Sequence, residues 1–508
     1  MMDAAARKLP AICALSAAGG FLLWQVLAFV RAGVFEYPLD DVYIHLAMAE
    51  GIMGGTYGIN PGEPASAASS VLYPLLLLPF PGTAVQRMLP LVWNFAALLA
   101  LAGLFGGLIA RSGVSRGWAL YLALIAPFAL NMPGVAALGM EHSLHALATL
   151  VLLIGLWRFL QTGEIGAALV LGAVLGPMFR FEGMAFSLLA AAVVFLGGRR
   201  RAGILIALGV VIPQVLFAAF LVVQGLDPVP SSVLAKFGGR RGGFNPATRF
   251  MANALETGGA AIFSAFLLTG LVQVMPWVRA HDRLPAIMAT VWIAVATHLF
   301  LGTVGWLGRY EHYLMVMLGA VLVLAMPHVG RAGRVVVMAA ALCAAVYYTY
   351  IAVASYTWNP RAIHLQQAQM ARLVDELPRE PVAVHDIGWV AWARDAQVLD
   401  LWGLASAEAR RARMGAKDGQ PEPEWAARLI RAHGIRYAMI YDDWIDDGIG
   451  HDWIRVAEVE MTNPRGKIGG YRVSVYATDP GFAPDLRAAI ERFRAGMPEG
   501  VLVRNVGG

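Results

Sequence analysis

The stretch "AICALSAAGGFLLWQVLAFVRAGVFEYPLDDVYIHLAMAEG", residues 11–51, decides how the rest of the chain is read. It begins with an uncharged apolar run to Val30, about the length a helix needs to cross the hydrocarbon core of a bilayer. A cleaved signal peptide has a shorter apolar core, so the run reads as a retained first helix. Two adjacent carboxylates follow, Asp40 and Asp41, directly before apolar residues at helical spacing, Ile44, Ala47, Met48 and Ile52. The aspartates therefore cap a short helix along the membrane surface. Two neighbouring negative charges at a membrane edge cost free energy, so the pair calls for a compensating contact or a chemical use.

The composition extends this reading to most of the chain. Of 508 residues, 58% are hydrophobic and 14% charged, against about 25% charged in soluble proteins. The mean hydropathy is +0.60. Spans are expected at 11–30, 88–110, 117–131, 139–157, 165–178, 181–198, 202–223, 257–278, 284–303, 310–327 and 335–355, about eleven helices, with those at 117–131 and 165–178 short. The expected fold is a polytopic α-helical membrane domain, residues 1–355, followed by a C-terminal soluble α/β domain, residues 356–508. In the latter, "PVAVHD" (381–386), "AQVLDL" (396–401) and "RYAMIY" (436–441) read as short buried strands, "EWAARLIRAHG" (424–434) as an amphipathic helix, and "IRVAEVEM" and "YRVSVYAT" as alternating strands.

The net charge of +5 does not point to nucleic acid, because the cations sit mainly in short loops between spans. Arg7 and Lys8, Arg111 and Arg116, Arg158, Arg199 to Arg201, Arg279 and Arg283, and Arg331 and Arg334 fall on one side of the expected topology. The positive-inside rule makes that side cytoplasmic and places the C-terminal domain outside. The loop carrying Lys236, Arg240, Arg241 and Arg249 breaks the rule. Cys13 and Cys343 both lie in apolar runs, so no disulfide framework supports the soluble domain.

Ionisable residues gather at the opposite, outer ends of the spans: Asp40 and Asp41 with His45; Glu141, His142 and His145; Arg180 and Glu182; Lys236; and Arg309, Glu311 and His312. Charge brought to one face by five segments suits an active site at the outer interface, whereas a transporter would carry it mid-span. Each residue also has a plainer reading: helix cap for Asp40, loop charge for Asp41, Lys236 and Arg309, first-turn acid for Glu141, interface histidine for His142 and His145, buried ion pair for Arg180 and Glu182. The acids Asp442, Asp443, Asp446 and Asp447 have no EF-hand spacing and read as a solvated surface.

"LDDVYIHLAMAEGIMGGTYGINPGEPASAASSVLYP" (39–74) resembles the first outer loop of the GT-C superfamily of polyprenyl-phosphate-sugar glycosyltransferases, and within it that of the cell-wall arabinofuranosyltransferases. "GMEHSLHAL" (139–147), "FRFEGM" (179–184), "PVPSSVLAKFG" (228–238), "GRYEHYLM" (308–315) and "HDIGWVAWARDAQVLDLWGL" (385–404) are similar to further family segments, in family order. The chain departs from the pattern at Phe181, where proline is usual, at "SSVLYP", and at Ser231-Ser232. The resemblance implies a bacterial inner-membrane enzyme with a periplasmic C-terminal domain. It would move arabinofuranose or a similar pentose or hexose from a polyprenyl-phosphate donor to a glycan, lipid or protein hydroxyl of the cell envelope.

By that resemblance the Asp40–Asp41 pair supplies the general base, with Asp40 the favoured member, and Lys236, Arg309 and Arg180 hold the donor phosphate. Glu141, His142, His45, Glu182, Glu311 and His312 line the substrate. A divalent metal on Asp40, Asp41, His45 and Glu141 is the alternative use of the acids. Two other classes stand beside the enzyme: a lipid or solute transporter, and a non-catalytic scaffold whose outer domain binds partners.

Overall fold

The structure, a computed structural model, describes residues 6–237, 245–256, 258–415 and 421–506, without the side chains of Lys236 and Phe237. The chain divides into two compact units. One holds residues 1–26, 91–216 and 245–356; the other holds 27–90, 217–244 and 357–508. The unit that contains the C-terminal sheet thus also takes in the loop after the first helix and the segment carrying Lys236.

The first unit is helical. In hydrocarbon a backbone must satisfy its own polar groups, and a helix does so within one segment. Among the described residues, seven helices are long and apolar enough to cross a membrane, from Ala6–Ala32 to Arg331–Asp375, or eight if the bent pair Pro246–Leu255 and Gly259–Val274 is one span. The expected segments at 165–178, 181–198 and 310–327 are helices, but shorter ones: Ala167–Phe179, Gly183–Leu196 and His312–His328. Thirteen residues in the first of these rise about 20 Å, less than the bilayer core. With the bent pair counted once, these helices match the eleven expected among the described residues; the segment expected to be short at 165–178 is short, whereas the one at 117–131 belongs to the 22-residue helix Arg116–Ala137.

Small residues set the helix contacts. A Cβ on Gly155 would lie 2.3 Å from the backbone nitrogen of Leu169, and one on Gly172 would lie 2.4 Å from that of Leu152. The helices His142–Thr162 and Ala167–Phe179 therefore touch backbone to backbone, the packing that membrane helices reach through glycine. The core of the unit is a continuous apolar cluster that includes Phe105, Leu153, Phe186 and Met317.

The second unit is built on a six-stranded sheet: β1 Val382–Val384, β2 Val398–Asp400, β3 Tyr437–Ile440, β4 Ile454–Met461, β5 Arg472–Ala477 and β6 Val501–Asn505. The order is β2-β1-β3-β5-β4-β6. β1 pairs in parallel with β2 and β3, and the rest of the sheet is antiparallel. Parallel neighbours need a crossover; between β2 and β3 the chain forms the amphipathic helix Trp425–Ala432, whose Trp425, Leu429 and Ile430 pack with Ala438, Ile440 and Tyr476 of the sheet.

The edge of β2 is covered from within the same unit. Asn60 donates from Nδ2 to the carbonyl of Val398 at 2.9 Å and accepts the amide of Val398 on Oδ1 at 2.9 Å. One side-chain amide thus does the work of a strand neighbour and leaves no open peptide at that point. Replacing Asn60 with Ala strands both buried groups of Val398. The expected cost is about 1–3 kcal/mol, read as a lower urea midpoint of tryptophan fluorescence in the purified protein.

Candidate functional site

The loop after the first helix is held by a cluster built on one carboxylate, Glu36. Glu36 is buried, accepts from the Tyr43 hydroxyl and pairs with Arg87 at 3.0 Å. Arg87 also donates to the Tyr43 oxygen at 3.0 Å and to the Phe35 carbonyl at 2.8 Å. The indole of Trp389 lies 4.5 Å from the Tyr43 ring and 4.9 Å from the Arg87 guanidinium. Neither Glu36 nor Arg87 was singled out by the sequence. The only available signal was a charge on each side of the apolar loop helix, too common a pattern to act on.

Asp40 stands at the start of the helix Asp41–Met53, but its side chain does not cap that helix. It turns to another one. Its Oδ2 accepts the amide of Gly388 at 2.6 Å and its Oδ1 accepts that of Trp389 at 2.9 Å, at the head of the short helix Gly388–Ala391. The expected cap of the loop helix is corrected: the carboxylate serves a helix 348 residues away in sequence. Only glycine fits at position 388, where a Cβ would meet the Asp40 carbonyl oxygen at 2.1 Å. Asp41, one residue on, is partly exposed and opens the loop helix. His45 lies on the same helix, 3.3 Å from the Ser69 hydroxyl and edge-on to Tyr73.

Asp386 adds a second acid beside Asp40. Gln367 donates to it at 2.8 Å, and His385 lies 3.5 Å away. Burial raises the Asp40 pKa well above the carboxylate range, the charge of Asp386 raises it further, and the amides of Trp389 and Gly388 only partly offset this. For Asp386 burial acts upward too, but His385 and the hydrogen bonds from His385, Gln367 and Tyr441 outweigh it and the net shift is downward. The two neighbouring acids are thus shifted in opposite directions, Asp40 up and Asp386 down.

In the helical unit the candidate residues come together around Tyr310. Arg180 is buried and makes two ion pairs, to Glu141 at 2.6 Å and to Glu182 at 2.7 Å. Its guanidinium lies 5.5 Å from the Tyr310 ring centre, that of Arg309 4.9 Å, and the His142 ring 5.9 Å. Arg309 also donates to the Tyr310 hydroxyl at 3.0 Å. The His145 ring lies tilted against Tyr313 with centroids 4.4 Å apart, and the Tyr313 hydroxyl is 2.9 Å from His298. Neither Tyr313 nor His298 stood out in sequence, each lying within a largely apolar helix.

Glu311 and His312 serve the backbone instead. Glu311 accepts the amide of Gly305 at 2.9 Å, and His312 Nδ1 lies 2.9 Å from the Leu130 carbonyl. The side chain of Lys236 lies outside the described residues. Among the described residues, no three His, Cys, Asp or Glu side chains are arranged to hold a metal ion. Of the acids near residue 442, Asp443, Asp446 and Asp447 are exposed, but Asp442 ties the sheet, bonding Arg455 at 2.7 Å and Ser474 at 2.9 Å.

Residues 357–476 match the model of a domain of unknown function, DUF8728. A comparison with curated proteins finds no match.

Two outcomes follow from these geometries. Removing Arg180 leaves Glu141 buried without its cation, so Arg180→Ala should cost about 3–5 kcal/mol, and Glu141→Gln in the same chain should restore part of it. The reading is the thermal midpoint in detergent. The second concerns pH. A carboxyl whose pKa is raised by folding stabilises fully below its unfolded value of about 3.9 and loses that contribution as pH rises through the folded value. Asp386, shifted the other way, contributes in full above the same unfolded value and varies with pH only below it. Between pH 4 and neutrality, a range taken as roughly the window above that value, wild-type stability should therefore fall more steeply than that of Asp40→Asn, and parallel curves would contradict the assignment.

Proposed function

We propose that the chain is a membrane glycosyltransferase that moves a sugar from a polyprenyl-phosphate donor to a hydroxyl of a cell-envelope glycan, lipid or protein, with its C-terminal domain on the periplasmic face. The observation that carries the proposal is the split environment of the acid pair. Asp40 is buried with both oxygens on backbone amides, while Asp41 is partly exposed at the start of the loop helix. Two adjacent carboxylates, one buried on amides and one partly exposed, suit different roles. On this reading Asp41 is the base and Asp40 fixes its position, which reverses the order of preference drawn from the resemblance.

The acceptor hydroxyl oxygen attacks the anomeric carbon. The bond from that carbon to the phosphate oxygen breaks, the prenyl phosphate departs with the bonding pair, and the hydroxyl proton passes to Asp41. The leaving group is already anionic, so no general acid is needed. Cations stabilise the departing phosphate. By the resemblance, that task falls to Lys236.

The test uses a synthetic prenyl phosphosugar and the purified protein. Asp41→Asn should keep donor affinity and thermal midpoint while transfer falls by a factor of about a hundred to ten thousand, the usual weight of a general base. Asp40→Asn should lose activity together with stability. Full transfer in both variants would refute the proposal.

A further inference from the structure

A cleft of about 770 Å³ lies at one end of the helical unit, lined by Arg158, Glu164, Arg199, Arg200, Arg201 and Leu205. Four arginines against one glutamate give the lining a formal charge of +3. The one acid is already engaged, since Glu164 pairs with Arg158 at 2.9 Å. Among the described residues, Arg199, Arg200 and Arg201 form no ion pair, and all three are exposed. Helix stabilisation does not explain them: they precede and begin the helix Arg200–Val223, the end at which the backbone dipole disfavours cations.

The neighbouring surface is apolar. Leu196 is 81% exposed and Leu205 58%, and only 17% of the apolar window of Arg200–Val223 is buried within the protein. That helix therefore presents its flank to lipid, and the cations sit where its apolar flank begins.

We infer that this cleft binds the headgroup phosphate of an anionic phospholipid, with the acyl chains laid along Leu205 and its neighbours on the exposed helix. Charge alone would suit any phosphate. The apolar flank, continuous with the cations, selects one that carries hydrocarbon. The site is independent of the proposed sugar transfer and lies at helix ends that the positive-inside reading assigns to the cytoplasmic side.

The experiment is a native mass-spectrometry titration of the full-length, delipidated protein with phosphatidylglycerol, with phosphatidylcholine of the same chains, and with inorganic phosphate. Phosphatidylglycerol should bind about a hundredfold more tightly than phosphatidylcholine, the effect of some three arginines at a membrane surface. The triple variant Arg199→Gln, Arg200→Gln, Arg201→Gln should lose the preference. The corresponding triple lysine variant, which keeps charge and topology, should retain it. Glu164→Gln removes the opposing charge and should tighten phosphatidylglycerol binding without touching the arginines. Equal affinity for the two lipids, an unchanged preference in the triple Gln variant, or no gain from Glu164→Gln would overturn the assignment. Displacement of the lipid by inorganic phosphate alone would also do so, giving the cleft to a soluble anion.

Discussion

A single carboxylate on two backbone amides holds the sheet-containing unit in register with its own first loop. Asp40 satisfies the orphan amides of Gly388 and Trp389, the head of a helix only one turn long. Such a helix has no length over which to recover its nucleation cost, so its place depends on an acceptor supplied from elsewhere. The supply is local in space and remote in sequence. It brings Trp389 onto Tyr43 and Arg87 and sets the start of the loop helix, and with it the place of Asp41. A Cβ at Gly388 would close the gap, so the contact constrains both ends of the chain.

The buried charges of the helical unit obey a different constraint. Arg180 with Glu141 and Glu182 forms a group of one cation and two anions in an apolar bundle, where each charge is costly unless paired. Its geometry is good, with contacts of 2.6 and 2.7 Å.

Much of the fold was legible because its signals are local. The strand readings at 381–386, 396–401 and 436–441 each contain an observed strand, and the helix read at 424–434 is found at Trp425–Ala432. The last strand, Val501–Asn505, gave no such signal, since Val501 alone in it is buried and an edge strand needs no alternating face. The apolar runs located the helices, including the short one read at 165–178 and found at Ala167–Phe179. In the candidate site the residue types were readable and their partners were not. That Asp40 would face Gly388, or Asn60 the peptide of Val398, depends on pairings more than three hundred residues apart. No periodicity or spacing encodes contacts of that kind.

The division of labour between the two aspartates is the centre of the account, and a density map of the purified protein with a non-transferable prenyl phosphonate sugar tests it most directly. The account predicts the sugar's anomeric carbon opposite the Asp41 carboxylate, with Asp40 still on the amides of Gly388 and Trp389. A sugar seated against an Asp40 that has left those amides, or one remote from both carboxylates, would contradict it.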